Sequence, residues 1–137
     1  MNTSFQEKSL WVMFVGLLAA FGFYFATALP GRAANVMPQQ VVLFVLAVVF
    51  LVITQVVGQA IIASLDRNHR TDERDQLIAL KGARSGSYVL AVGVFVALCT
   101  ALVTAGNFAF THVLLGFWVA AQLVEIGWQL FLYRRGA

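Results

Sequence analysis

Residues 41–65 read VVLFVLAVVFLVITQVVGQAIIASL, and this stretch decides the fold. It contains no Asp, Glu, Lys or Arg. About 20 mostly apolar residues are needed to cross a hydrocarbon layer of about 30 Å as a helix. A strand of a membrane barrel would instead alternate polar and apolar residues over about ten positions. The run is too long and too uniformly apolar for that, so it predicts a membrane helix, which satisfies its own backbone hydrogen bonds in lipid.

Three more stretches read the same way. Leu10 to Leu29 and Tyr88 to Ala105 carry no charge, and Val113 to Tyr133 carries only Glu125. The expected architecture is an all-α, integral membrane four-helix bundle. It forms one domain over residues 1–137, with spans at about 10–29, 41–65, 88–105 and 113–133. Composition agrees: 61% of the 137 residues are hydrophobic, 11% are charged, and mean hydropathy is +0.84. A soluble domain is about a quarter charged. An ordinary soluble enzyme, a disordered chain and a disulfide scaffold are thereby excluded. The lone cysteine, Cys99, forms no internal disulfide and reads as a small buried hydrophobe.

The connections differ. Residues 30–40 hold Pro30, Gly31, Asn35 and Pro38, a breaker-rich turn, and a short turn starts at Gly106. Residues 66–87 hold nine of the fifteen charges. Lys8, Arg67, Arg70, Arg74, Lys81, Arg84, Arg134 and Arg135 fall on one side of a four-span chain, and only Arg32 on the other. This eight-to-one split predicts cytoplasmic termini and a cytoplasmic 66–87 loop. Trp11, Tyr88 and Tyr133 lie at the same ends, where amphipathic rings settle. The pI of about 9.5 follows from these topology-setting cations, so no direct nucleic-acid contact is expected. The first apolar run exceeds the h-region of a cleavable signal peptide and is expected to remain as a helix.

Two halves show a faint repeat of helical hairpins. At an offset of 77, Trp11, Gly16 and Ala20 match Tyr88, Gly93 and Ala97; at an offset of 70, Gln55 and Gln59 match Glu125 and Gln129. Small residues at Gly93, Ala97, Ala101 and Ala105, and at Gly16, Ala20, Gly22 and Ala26, are expected to admit close helix packing or a homo-oligomer seam.

Glu125 is the outstanding polar residue, with Gln122 three before it and Gln129 four after it on one helical face. Gln55 and Gln59 form a similar stripe on the second span. Facing stripes would make an intramembrane polar cluster of Gln55, Gln59, Gln122, Glu125 and Gln129. Such a cluster either pins helices or serves a small proton- or cation-linked transporter. In the long loop, Thr71 is the expected N-cap of a short interfacial amphipathic helix, with Gly82 and Gly86 allowing a bend before the third span. Asp72, Glu73, Arg74 and Asp75 are its candidate docking residues for a cytoplasmic protein. No catalytic constellation, metal-ligand pattern or cofactor motif is present, and neither His69 nor His112 has the partners catalysis needs. The expectation is a non-enzymatic protein without cofactors.

The stretches DERDQLI (72–78) running into YVL (88–90), FQEKS (5–9) before Trp11, and QLFLYRRG (129–136) resemble a group of small bacterial inner-membrane proteins of a domain-of-unknown-function family. The resemblance implies a bacterial inner-membrane location. Some proteins of this sort accompany compact helix-turn-helix regulators and hold them at the membrane, which implies a cytoplasmic regulator as partner. Small multidrug transporters have four helices of similar length but an acid in the first span, which this chain lacks.

Overall fold

The computed structural model describes residues 5–29, 35–65 and 72–135. They form four helices: α1 (Phe5–Ala28), α2 (Pro38–Leu65), α3 (Glu73–Val103) and α4 (Phe108–Arg135). All four are long and apolar enough to cross a membrane. The shortest, of 24 residues, is about 36 Å long at 1.5 Å per residue, and so exceeds a hydrocarbon layer of about 30 Å.

Local chemistry sets the boundaries. Pro38 opens α2 at the first helical position, where its missing N–H goes unused. The Gln40 side chain reaches back to accept from Met37 N–H at 3.0 Å, as the return arm of a capping box does. Helix α3 starts on a complete capping box. Asp72 Oδ1 accepts from Asp75 N–H at 2.8 Å, and Asp75 Oδ2 accepts from Asp72 N–H at 3.1 Å. The N-cap is therefore Asp72; Thr71 lies outside the described residues. Gly106, at φ 80°, makes the turn into α4 in a conformation that disfavours a Cβ.

One expectation fails here. Residues 73–87 are not a loop containing a separate short helix that bends before the membrane. They are the opening turns of α3, continuous with its apolar part. Gly82 and Gly86 do not provide a bend. Both are buried, and they let α4 come close: a methyl on Gly86 would stand 2.9 Å from Ala121 O, and one on Gly82 would collide with Gln129 Cγ. Packing against α4 holds these turns helical and overrides the glycines' weak propensity.

Helices α1 and α4 are central. Helix α2 packs on α1, α3 packs on α4, and α1 packs on α4. The central seam holds Leu10, Leu17 and Phe21 of α1 against Val119, Ile126 and Leu130 of α4. Along α1 the seam runs Leu10, Phe14, Leu17, Phe21, Tyr24, Ala28, the alternating four-and-three spacing of a heptad stripe. Helix α2 buries only Gln40 and Ala47; the rest of its apolar surface faces outward or is half-covered.

The close-packing stripe of α3 also differs from expectation. Gly93 and Ala97 are buried, but Ala101 and Ala105 are exposed, while Gly82 and Gly86 extend the stripe towards the other end. At about 100° per residue, a strict four-residue step drifts about 40° each time and leaves the interface. The observed 82–86–93–97 spacing averages the drift out. On α1, Gly16 and Ala20 are buried, whereas Gly22 meets nothing and Ala26 is exposed.

Candidate functional site

The two polar stripes go to different interfaces. Gln55 Nε2 donates to Met13 O at 3.3 Å and Val12 O at 3.5 Å. Gln59 Nε2 donates to Ser9 O at 3.4 Å, and Ser9 Oγ donates to Gln59 Oε1 at 2.8 Å. Both glutamines thus join α2 to α1. Glu125 and Gln129 instead lie against Gly86 and Gly82 of α3. Gln122 is half-buried one turn earlier on α4. The five residues do not meet as one cluster, because α2 and α4 are on opposite sides of α1 in the packing order.

The height of Glu125 follows from its neighbours. It lies level with Gly86, beside the stretch of α3 that carries Lys81 and Arg84. Trp128, exposed, follows three residues later, about 5 Å nearer the charged end at 1.5 Å per residue. Glu125 therefore sits level with the middle of α3, about 15 Å along α4 from Arg135.

The charged end is built from side chains of three helices. Tyr133 OH donates to Asp75 Oδ1, and the Arg74 guanidinium lies over the Tyr133 ring at 6.0 Å. Arg134 lies over Trp11 at 5.6 Å, and Arg84 Nε donates to Tyr88 OH at 3.2 Å. Of the proposed docking residues, Asp72 and Asp75 are therefore engaged within the chain as cap and clasp. Glu73 and Arg74 are exposed. Leu77 and Leu80, exposed by 57% and 68%, stand on the outer side of the same turns, while Ile78 is buried.

The opposite end carries two features that spacing does not reveal. Val36 N–H donates to Asn107 Oδ1 at 2.8 Å, and Asn107 N–H donates to Asn35 Oδ1 at 3.2 Å, so the two hairpin tips are clasped through asparagine side chains. Beneath them is a buried polar group. Tyr24 OH lies 3.0 Å from His112 Nε2, and His112 Nδ1 lies 2.9 Å from Phe108 O. A carbonyl only accepts, so Nδ1 carries the proton and Nε2 accepts from the phenol. Gln40 is buried nearby and donates to Ala28 O at 3.4 Å. His112 looked unpartnered in the sequence because its partner is a phenol 88 residues away on another helix.

This group borders a cavity of about 460 Å³. Its wall includes Tyr24, Gln40, Phe44, Leu90, Thr111 and Trp118, drawn from all four helices. Among the described residues no group of three or more His, Cys, Asp or Glu could hold a metal ion.

No family model, curated protein or solved structure matches this chain.

Proposed function

We propose that the chain is a non-enzymatic, multi-pass protein of a bacterial inner membrane that presents the charged end of α3 to a cytoplasmic protein, such as a regulator. One observation carries this reading. Helix α3 runs four turns past its apolar stretch and is fixed there by the Asp72–Asp75 box and the Tyr133 bond, yet Glu73, Leu77, Leu80, Lys81 and Arg84 face outward. Exposed leucines flanked by charges on a rigid helix suit recognition by a partner groove. The docking surface thus shifts from the Asp72–Asp75 run to this outer face.

The charge split supports cytoplasmic termini. Trp11 and Trp128, both partly exposed near the charged end, suit a headgroup level. Measured from that level, Glu125 lies about 5 Å inward along α4, shallower than the midplane ion sites of transporters. Pairing also supports a parallel hairpin repeat, at a single offset of 70. Gly16 packs on Gln55 and Gly86 on Glu125, each pair 39 residues apart, so Gly16 corresponds to Gly86 and not to Gly93.

The test is site-specific photocrosslinking in living cells. A crosslinking residue at Leu80 should give a discrete protein adduct that disappears with Leu77→Ser. The same residue at Leu102, at the other end of α3, should give none. Adducts to lipid alone at Leu80 would overturn the proposal.

A further inference from the structure

We propose that the cavity beside Tyr24 and His112 binds the ring of a lipid-soluble quinone. This inference rests on the bilayer location proposed above but is independent of the docking helix end.

Four observations point to this ligand class. The first is shape: Tyr24, Phe44, Phe110 and Trp118 contribute aromatic rings to the wall, and flat rings pack well on flat rings. The second is size. About 460 Å³ falls within the range of about 300–1,000 Å³ typical of small-molecule sites. That holds a substituted ring and the start of its chain, and the remainder can lie along the outward apolar face of α2.

The third is polarity. Among the described residues the wall is apolar except for Tyr24, Gln40, Thr111 and the indole N–H of Trp118. The Tyr24 hydroxyl is committed to His112 Nε2. Gln40 uses its oxygen on Met37 N–H and one amide N–H on Ala28 O, which leaves it a second N–H donor. Thr111 adds a hydroxyl. The wall therefore offers donors to a neutral ligand that accepts, and a quinone carbonyl is such an acceptor. Among the described residues no Lys or Arg lines the cavity, so none of them offers an anion a countercharge. The fourth is access. The cavity is open on one side and lined by residues of four helices apolar enough to span a bilayer, so a ligand dissolved in lipid can enter it. A saturated acyl chain shares that route but offers nothing to the buried Gln40 amide or to Thr111.

The protein with Trp11→Phe and Trp128→Phe retains Trp118 as its sole tryptophan. In lipid nanodiscs it is titrated with a single-prenyl benzoquinone while Trp118 emission is followed. Saturable quenching is expected, with affinity lowered about 3- to 10-fold by Thr111→Val, the worth of one neutral hydrogen bond, and restored by Thr111→Ser. The unsubstituted chain, eluted through buffer containing radiolabelled quinone, should retain about one equivalent. Quenching that rises linearly without saturation, or a failure of the unsubstituted chain to retain quinone, would overturn the proposal. So would Thr111→Val binding as the parent does, or displacement of the quinone by an equal concentration of dodecane, which would make the cavity an acyl-chain site.

Discussion

Adding one methyl group should have opposite effects at two glycines. At Gly93 it would collide with Phe117 Cβ, an atom fixed to the α4 backbone. No rotamer change of Phe117 relieves that clash, so α3 and α4 must separate locally. Overpacking of this kind costs about 1–3 kcal/mol. Against it stands the better helix propensity of alanine, about 1 kcal/mol in a helix interior. Gly93→Ala should therefore destabilise by up to about 2 kcal/mol net. At Gly22 of α1 the same methyl would meet nothing within 4 Å, so only the propensity term remains. Gly22→Ala should stabilise by up to about 1 kcal/mol. Reversible unfolding of the two variants in mixed micelles, followed by tryptophan emission against the parent, separates them by about 1–3 kcal/mol. Equal midpoints, or a Gly93→Ala protein more stable than the parent, would refute the close α3–α4 seam.

The helix ends and the topology give further tests. Asp72→Ala should remove the N-cap of α3 at a cost of about 1 kcal/mol, read as faster amide exchange over residues 73–77 while the apolar part of α3 stays protected. Tyr133→Phe should speed exchange in the same turns without changing membrane insertion, because it cuts only the tie to Asp75. Asn107→Ala should loosen the hairpin tips by about 1 kcal/mol, the worth of its bond from Val36 N–H, and speed exchange there first. In a Cys99→Ser background, Lys8→Cys should resist a membrane-impermeant thiol reagent in intact cells and Asn35→Cys should react; the reverse pattern would invert the proposed orientation. Glu125→Gln should leave stability within about 1 kcal/mol of the parent, since the carboxylate has no ion-pair partner among the described residues.

What could be read from the chain alone was what each helix settles locally. Length and hydropathy decide whether a segment can cross a bilayer, and the order of charges along the chain decides which ends they occupy. The four helices follow from that, each covering one of the apolar stretches, although α3 starts fifteen residues before its own. Rotation about the helix axis is another matter. A segment apolar on every side has no preferred face, so nothing in the residues around Gln55 or Glu125 says which neighbour each will meet. Only the packing order α2–α1–α4–α3 sends Gln55 and Gln59 to the carbonyls of α1 and Glu125 and Gln129 to the glycines of α3. The same packing draws residues 73–87 into α3 and engages Asp75 with Tyr133. It also brings Tyr24 to His112 across 88 residues. These are contacts between separate helices, and they depend on which small residues permit close approach, a choice made jointly by two surfaces and legible in neither one alone.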